Sequence, residues 1–263
     1  MMKTEAAIEH ITGWLGDYCG RAGTDGFVIG VSGGIDSAVS STLAARTGLP
    51  LLVVEMPIHQ SPSQVDRARD HIAFLKERHG TVESVEVEMT DVFDRLIEAL
   101  PESPEDVRRE MSLVNTRARL RMTTLYYFAA LHGRLVVGTG NKVEDFGVGF
   151  FTKYGDGGVD LSPIADLVKT EVYELGRALG VNEAILTAAP TDGLWGDDRT
   201  DEDQIGASYP ELEWAMSFDG DEAALDNRQN EVLSIYRRLN AANRHKMEPI
   251  PVCVIPGELR QDD

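Results

Sequence analysis

A run of small and polar residues follows the first apolar segment of the chain, and these residue types could bind an anion. The run reads Gly30-Val31-Ser32-Gly33-Gly34-Ile35-Asp36-Ser37. Glycines let the backbone approach an anion closely, and N–H groups and hydroxyls donate hydrogen bonds to phosphate oxygens. The next segment is predicted to be a helix, whose N-terminus attracts negative charge. We therefore expect residues 30–37 to bind a pyrophosphate group.

Asp36 is the unusual member of this loop, because a carboxylate repels a phosphate unless a cation lies between them. We interpret Asp36 as a ligand of Mg²⁺ that bridges to the phosphates. The alternative is a glycine-rich turn without a ligand, which two adjacent glycines alone would favour. The loop lacks the Gly-Lys-Ser/Thr ending of the common P-loop and the G-x-G-x-x-G of dinucleotide folds. The complete Ser-Gly-Gly-x-Asp-Ser string favours a different class of nucleotide site.

A second informative stretch combines aromatic rings, one lysine and two carboxylates in a glycine-rich loop. It reads Phe150-Phe151-Thr152-Lys153-Tyr154-Gly155-Asp156-Gly157-Gly158-Val159-Asp160. Such a loop is either a surface excursion or a substrate loop. Phe150 could be a platform for a ring or a core residue, and Asp156 could be a functional carboxylate or the cap of a turn.

Strand-like and helix-like segments alternate along the chain, which predicts an α/β fold: a doubly wound parallel sheet with flanking helices. Ligands of such sheets bind at the carboxyl ends of the strands. The loop at 30–37 and the loop Gly138-Thr139-Gly140-Asn141 both follow predicted strands, so both could face one crevice. The predicted strands are Phe27–Val31, Leu51–Glu55, Thr81–Val87 and Leu135–Val137. The predicted helices are Glu5–Arg21, Ser37–Arg46, Ser63–Arg78, about 105–130, Lys169–Leu179, Tyr209–Met216 and Asn230–Ala241.

The charge balance excludes some partners. The formal net charge is −19, with 44 acidic against 25 basic residues, whereas nucleic-acid binding normally requires a surplus of Lys and Arg. Only six of the basic residues are lysines, a balance that would suit a protein kept soluble in concentrated salt. An adaptation to high salt and an ordinary acidic surface remain alternatives.

The length of 263 residues and the 42% hydrophobic content predict one α/β domain over residues 1–263. The N-terminus lacks a leader pattern and no apolar stretch is long enough for a bilayer, so we expect no membrane association and a cytoplasmic location. Cys19 and Cys253 lack the spacing of a metal or redox motif, and we expect buried free thiols. The segment 190–206 is rich in Gly, Asp and Thr, and we expect it to be mobile without ligand, although a plain solvated connection has the same composition.

The chain resembles the ammonia-dependent NAD synthetases of the ATP pyrophosphatase (PP-loop) superfamily, whose fold is that of the adenine-nucleotide alpha-hydrolases. The Phe-Thr-Lys-Tyr-Gly-Asp-Gly string carries the resemblance more specifically than the pyrophosphate loop, which several adenylating families share. The Gly138–Asn141 loop is more similar to archaeal and glutamine-dependent members than to many bacterial ones. Further matching segments are Thr139–Glu144, Pro163–Lys169, Pro190–Trp195, Thr200–Asp203 and His245-Lys246.

This resemblance implies a reaction and a set of site residues. ATP would adenylate the nicotinate carboxylate of deamido-NAD with release of pyrophosphate, and ammonia would attack the NAD-adenylate to give NAD and AMP. Asp36 and Glu144 would hold Mg²⁺, and Lys169 would be catalytic near the phosphates of ATP. Our own hypotheses are that Asp156 is a second catalytic residue, which holds ammonium, and that Phe150 supports the pyridine ring. ATP would contact residues 30–37, Thr139, Lys169 and Thr191. Deamido-NAD would contact Arg119, Lys153, Asp160, His245 and Lys246.

By themselves, several of these residues would be unremarkable. An arginine on a long helix, such as Arg119, is more often part of a surface ion pair, and His245 and Lys246 would pass for a plain polar pair. The resemblance also implies a homodimer. The chain is too short for an added amidase domain, so we expect free ammonia as the nitrogen donor unless a separate partner supplies it.

Two other interpretations are open at this stage. One is another enzyme with the same loop, such as a GMP synthetase or a tRNA-thiolating enzyme. The net charge opposes tRNA, and the missing cysteine pattern opposes sulfur transfer. The other is a nucleotide-binding module without catalysis, which would have no reason to carry Glu144 and Lys169 beside the loop.

Overall fold

A four-stranded parallel sheet is the centre of the fold. The computed structural model describes residues 2–191 and 200–260. The strands are β1 (Phe27–Gly30), β2 (Leu51–Glu55), β3 (Val82–Glu86) and β4 (Leu135–Val136), and their order in the sheet is β3-β2-β1-β4. All three pairings are parallel. Beyond β4, Val137 pairs with Leu161 in an isolated parallel bridge.

Helices cover both faces of this sheet, so the predicted doubly wound parallel architecture is confirmed. The α-helices of the described ranges are α1 (Thr4–Ala22), α2 (Ile35–Arg46), α3 (Pro62–Arg78), α4 (Thr90–Ala99), α5 (Val107–His132), α6 (Lys169–Ala178), α7 (Glu183–Leu186), α8 (Asp201–Ile205), α9 (Tyr209–Ser217) and α10 (Asn227–Met247). On one face, α1, α2, α3 and α6 enclose a core that includes Leu15, Phe27 and Leu43. On the other face, Phe93 of α4 and Ala129 of α5 share a second core with Val28 of β1.

The sequence explains where the 26-residue helix α5 begins and ends. The side chain of Asp106 accepts hydrogen bonds from the backbone N–H groups of Arg108 and Arg109 and so caps α5. Gly133 ends α5 with a left-handed backbone, φ 63°, a conformation that glycine adopts at little cost. Residues next to the helix in sequence therefore define both of its ends.

A third hydrophobic cluster lies beside the sheet and is formed mainly by the C-terminal half of the chain. A π-helix (Val143–Val148) packs against α9 and α10. Val143, Leu212 and Val232 are buried in this cluster. Because the π-helix starts shortly after β4, the cluster lies next to the carboxyl edge of the sheet.

The structure differs from the sequence predictions at several places. Helix α4 was not predicted, nor was the π-helix Val143–Val148. Residues 192–199 of the segment expected to be mobile lie outside the described residues, and Asp201–Ile205 form a helix with buried ends. Both cysteines are free, and Cys19 is buried as expected, but the expectation is wrong for Cys253, which is exposed in the C-terminal segment. No helix in the described part of the chain is long and apolar enough to span a membrane.

Candidate active site

A cavity of about 270 Å³ opens at the carboxyl edge of the sheet. It is lined by the loop after β1, by the end of β2 and by the segment after β4, as expected for a parallel sheet. Every predicted ATP and metal residue lines it, together with Asp156 and Phe150. The lining residues from the prediction are Gly30 to Ser37, Thr139, Glu144, Lys169 and Thr191.

Hydrogen bonds of the Ser37 hydroxyl fix the backbone of the loop at 30–37. The Ser37 hydroxyl donates to the carbonyl of Gly34 at 3.0 Å and accepts from the backbone N–H of Ser32 at 3.2 Å. Gly33 has φ 80°, and a Cβ there would lie 2.6 Å from the Gln64 carbonyl oxygen of α3. A side chain at Gly33 would therefore force the loop away from α3.

Helix α3 also holds this loop through a hydrogen bond to the Gly33 carbonyl oxygen. Arg67 donates from Nε to the Gly33 carbonyl oxygen at 3.2 Å. The loop is therefore hydrogen-bonded both to α3, through Arg67, and to the first turn of α2, through Ser37. This geometry leaves the N-terminus of α2 facing the cavity, where its dipole favours an anion.

Lys169 is the most enclosed charge of the cavity. Its Nζ donates to Asp36 Oδ2 at 2.6 Å and to Glu144 Oε1 at 2.9 Å, and its side chain is only 3% exposed. Lys169 is the first residue of α6, whereas Asp36 belongs to α2 and Glu144 to the π-helix. One ammonium group therefore joins three elements that are far apart in sequence.

The electrostatics of this triad follow from burial and mutual attraction. Burial alone would lower the pKa of Lys169, but the charges of Asp36 and Glu144 outweigh it and raise the pKa above its ordinary value. Burial opposes ionisation of Glu144 too, yet Lys169 and a hydrogen bond from Tyr209 bring its pKa below the ordinary value. Lys169 is consequently a permanent cation at the edge of the phosphate loop.

Two residues that the sequence analysis did not single out hold this triad. Asn141 is fully buried and donates to Asp36 Oδ1 at 3.2 Å, while its Oδ1 accepts from the backbone N–H groups of Val143 and Glu144. The Tyr209 hydroxyl donates to Glu144 Oε1 at 2.5 Å, and its ring lies 4.6 Å from Lys169 Nζ. Asn141 is the last residue of the predicted loop at 138–141, so its position was a signal that could have been used.

Asp156 lies in the same cavity, on the glycine-rich loop. Its Oδ1 accepts from the backbone N–H of Thr152 at 2.9 Å. Water can still reach its side chain inside the concave site, while protein atoms on the other sides restrict its hydration. Burial raises the pKa of Asp156 to about 6. Its carboxyl group therefore changes charge close to neutral pH.

A second cavity of about 180 Å³ lies beside the first. Asp145 and Asp156 line both cavities, and Phe151, Lys246 and Met247 line the smaller one. A Cβ at Gly140 would overlap the Asp145 carboxylate, which would then have to turn away. Burial raises the pKa of Asp145 to about 8. The sequence analysis missed Asp145.

The residues predicted to contact deamido-NAD occupy several places. Lys246 lines the smaller cavity and donates to the carbonyl oxygens of Gly149 and Phe151, both at 2.8 Å. The remaining four line neither cavity in the described part of the chain. Arg119 donates to the Lys153 carbonyl oxygen at 3.4 Å, and Lys153 Nζ donates to the His245 carbonyl oxygen at 2.6 Å.

Asp160 is separated from this group and has structural partners. Its carboxylate accepts from the Tyr126 hydroxyl at 3.0 Å and from the Val136 backbone N–H at 2.8 Å. These bonds join the end of the glycine-rich loop to α5 and β4. The structure therefore brings Arg119, Lys153 and His245 together but holds Asp160 against the sheet.

The donor set fits a magnesium ion that is shared with a nucleotide. The described residues contain no cluster of three or more His, Cys, Asp or Glu side chains that could hold a metal. Mg²⁺ commonly takes one or two protein carboxylates and completes its shell with phosphate oxygens and water. Asp36 and Glu144, which already share one cation in Lys169, meet that requirement beside the phosphate loop.

The parallel sheet, the serine- and glycine-rich loop and the buried lysine define a nucleotide-binding α/β protein with a pyrophosphate loop. Comparison with known proteins is consistent with this class. A family model described as NAD synthase matches residues 7–249, and the chain belongs to that family.

Curated relatives and solved structures match over nearly the whole chain. The NH(3)-dependent NAD(+) synthetase of Carboxydothermus hydrogenoformans is 36% identical over 244 residues, which are 92% of this chain and 94% of that protein. The corresponding protein of Methanosarcina mazei is 37% identical over 260 residues, with 95% and 98% covered. A solved NMN synthetase from Francisella tularensis has a TM-score of 0.83 and 30% identity, with 98% and 100% covered.

Proposed function

We propose that this protein is a single-domain ligase that amidates deamido-NAD to NAD, with ATP and ammonia as co-substrates. One observation carries the proposal: a lysine between two carboxylates lies beside a pyrophosphate loop, in the cavity that also holds Asp156. The family and its curated NH(3)-dependent NAD(+) synthetases support the same activity. A cytoplasmic location belongs to this proposal.

In the first step, the nicotinate carboxylate attacks the α-phosphorus of ATP, and pyrophosphate leaves with the electron pair of the broken P–O bond. Two anions must approach one another, so positive charge and N–H donors are required. Residues 30–37 would bind the β- and γ-phosphates, and Lys169 would neutralise charge at their edge. Thr139 and Thr191 line the same cavity and would contact the nucleotide.

Asp36 and Glu144 would hold Mg²⁺ when ATP is bound. The ion would supply additional positive charge for phosphoryl oxygens. The carboxylates would then exchange part of their interaction with Lys169 for the metal. Asn141 and Tyr209, which hold these carboxylates in place, would keep the two ligands oriented during that exchange.

In the second step, ammonia attacks the carbonyl carbon of the acyl-adenylate and AMP leaves with the electron pair of the C–O bond. The attacking nitrogen must lose a proton. Asp156 would hold ammonium and accept that proton, since its pKa of about 6 leaves the carboxylate available at neutral pH. Phe150 lines the same cavity and would support the pyridine ring.

A second candidate substrate follows from one of the comparisons. The solved neighbour from Francisella tularensis is called an NMN synthetase. The same site chemistry would amidate nicotinate mononucleotide, because the reacting carboxylate is identical in the mononucleotide and the dinucleotide. Competition between the two acids at equal concentration, with both amides quantified, decides between them.

The decisive assay measures pyrophosphate, AMP and NAD from purified protein with ATP, Mg²⁺ and deamido-NAD. Ammonium and glutamine are supplied as separate nitrogen sources. We expect NAD in a one-to-one ratio with pyrophosphate when ammonium is present, and little NAD when only glutamine is present. Pyrophosphate release without NAD would indicate another acceptor or a missing donor. The absence of both products would overturn the proposal and favour a nucleotide-binding module.

We further propose that the protein works as a homodimer on free ammonia. Arg119, Lys153 and His245 form a connected surface outside the two cavities, which suits residues that complete a site together with a second subunit. Light scattering of the purified protein tests this part independently of activity.

A further inference from the structure

Glu55 is a buried carboxylate to which the proposed reaction gives no role. It is the last residue of β2 and lies at the carboxyl edge of the sheet. Its side chain is only 7% exposed, yet its Oε1 atom has no hydrogen-bond partner among the described residues. Buried polar atoms are nearly always hydrogen-bonded, because removing them from water is costly. This oxygen is therefore suited to accept a hydrogen bond from a further molecule.

Arg69 of α3 orients the Glu55 carboxylate. Arg69 Nε lies 3.6 Å from Glu55 Oε2, and Arg69 Nη2 donates to Glu86 at 3.0 Å. Arg69 thus attracts one oxygen of Glu55 and leaves the other, Oε1, for a different donor. Burial and the negative charge of Glu86 raise the pKa of Glu55, although Arg69 opposes them. A hydrogen bond donated to Oε1 would therefore stabilise the carboxylate.

Glu55 lines the larger cavity, next to the loop at 30–37. The parallel pairing of β1 with β2 places Gly30 opposite Val54, so Glu55 lies one residue beyond the start of the phosphate loop, on the neighbouring strand. Neighbouring strands are about 4.8 Å apart. A nucleotide whose phosphates bind the loop therefore has Glu55 within reach of its nucleoside part.

The cavity near Glu55 has apolar side chains that suit a flat ring. Met56 and Leu125 meet at Gly30, where a Cβ would lie 3.2 Å from Met56 Cε and 3.6 Å from Leu125 Cδ1. Ala68 of α3 lines the same cavity. Ligand pockets commonly hold a ring between apolar side chains and orient it with a few polar groups. Adenine is such a ring, and its 6-amino group is a hydrogen-bond donor.

We infer that Glu55 recognises the adenine base of ATP, with Oε1 accepting a hydrogen bond from the 6-amino group. This inference rests on the proposed function, which makes ATP a substrate. An ionised carboxylate only accepts hydrogen bonds, so a purine without the amino group leaves Oε1 unpartnered, which is costly in a buried place. Glu55 is then a specificity-determining residue for the nucleotide, whereas the phosphate loop binds the part that all nucleoside triphosphates share.

Calorimetric titration of the purified full-length protein with nucleotides and Mg²⁺ tests this assignment. Deamido-NAD and ammonium are left out, so that only binding is measured. Purine riboside triphosphate lacks only the 6-amino group, and we expect it to bind about 30-fold more weakly than ATP, since a hydrogen bond to a charged group has about this effect. 2′-Deoxy-ATP and 3′-deoxy-ATP test the ribose hydroxyls, which are the other donors of the nucleoside.

Substitutions at Glu55 and at its register neighbour Glu86 separate recognition from structure. Glu55→Met removes the acceptor and keeps most of the volume, so ATP and purine riboside triphosphate should bind with equal affinity. Glu55→Gln keeps one acceptor oxygen and should retain part of the preference, which a purely structural role would not explain. Glu86→Met is the matched control, because Glu86 pairs with the same Arg69 and is opposite Glu55 in the sheet but is 46% exposed. It should keep the roughly 30-fold preference. Circular dichroism of each variant verifies folding.

Three results would overturn the inference. Equal binding of ATP and purine riboside triphosphate by the unmodified protein means that the amino group is not recognised, and this comparison stands even if Glu55→Met does not fold. A preference that persists in a folded Glu55→Met means that another residue recognises the amino group. A preference for ATP over a deoxy analogue that Glu55→Met abolishes means that Glu55 accepts from a ribose hydroxyl.

These failures are distinguishable from failure of the proposed function. If ATP binds and NAD forms but the 6-amino group makes no difference to binding, only the role of Glu55 is wrong. If ATP does not bind at all, the proposed function is wrong, and the role of Glu55 in recognising ATP is wrong with it.

Discussion

Among the single residues of the candidate active site, Lys169 provides the positive charge that the two neighbouring carboxylates share. Its ammonium group contacts two carboxylates that would otherwise repel one another in a buried place. Removing one partner of a buried charge cluster leaves the others uncompensated, which is more costly than losing a surface pair. The same ammonium would also face the phosphates of ATP, so structure and chemistry both depend on it.

We predict that Lys169→Met lowers kcat/KM for ATP by about 10³-fold, because one donor to developing charge in an enclosed site contributes about this much. Steady-state pyrophosphate release measures the effect. Lys142→Met is the matched control, since Lys142 pairs with Asp166 at 2.9 Å on the surface and is 42% exposed. A loss of similar size in both variants would contradict a specific role of Lys169.

Asp156 allows the two steps of the reaction to be separated. We predict that Asp156→Asn slows NAD formation more than pyrophosphate release, because only the second step needs a proton acceptor. Burial raises the pKa of Asp156 to about 6, so the rate of NAD formation in the unmodified enzyme should rise as the pH increases through about 6. The concentration of free ammonia is kept constant across the pH series, because ammonium itself loses a proton as the pH rises. The variant should then lack this rise.

Asp166→Asn is the control for that experiment, since the Asp166 side chain is 97% exposed and pairs with Lys142. It should leave the pH profile unchanged. Equal losses of NAD formation and pyrophosphate release in Asp156→Asn would exclude the proposed role as a proton acceptor.

The sequence analysis named several of the charged residues that line the cavity, but it did not name Tyr209, which supports them. Asp36 and Lys169 lie in motifs with unusual residue types, and a lysine is notable in a chain with six of them. Tyr209 begins an ordinary helix 65 residues after Glu144, the residue that it contacts. Nothing local indicates that contact, because only the packing of the third cluster brings α9 to the π-helix.

At the scale of elements, local patterns predicted most of the sheet and helices because periodicity and turn residues agree there. The π-helix is an exception. Its side-chain spacing matches no common period. Gly147 within it is a packing position, where a Cβ would lie 2.7 Å from the sulfur of Met216. Helix α4 was not predicted although its pattern is amphipathic; in the structure Phe93 is buried, whereas Val92 and Leu96 are exposed.

Helices α2 and α3 are joined by a buried histidine. His71 of α3 is 0% exposed, and its Nε2 lies 2.9 Å from the Ser41 hydroxyl of α2. Burial lowers the pKa of His71 from 6.5 to about 4. The ring therefore stays neutral in the native protein at a pH where the unfolded chain already binds a proton.

This difference predicts a pH-dependent loss of stability. The unfolded state takes up the proton first as the pH falls, so stability should decrease between about pH 6.5 and 4, by about 2 kcal/mol at pH 5. His71→Gln keeps a polar group for Ser41 but does not titrate. Urea unfolding at pH 7.5 and pH 5 should show a smaller loss for the variant. Equal losses would mean that carboxylates alone cause the acid sensitivity.

At the scale of the whole molecule, the strongly negative net charge affects stability. A net charge of −19 over 263 residues destabilises the compact state through self-repulsion at low salt. In molar salt the Debye length falls to about 3 Å, so this repulsion is screened. The ion pair of Lys169 with Asp36 is screened much less, because its side chains are only 3% and 19% exposed.

Stability should therefore rise with salt while the site keeps its charges. We predict that the thermal midpoint increases by several degrees between 0.1 and 2 M KCl and that NAD formation persists at 2 M KCl. Sucrose of equal osmolality is the control, because it favours compact states without screening charge. A similar rise in sucrose would assign the effect to exclusion of the solute. Inactivation in molar KCl would instead mean that the acidic surface is not an adaptation to concentrated salt, and that substrate binding depends on charges that salt can reach.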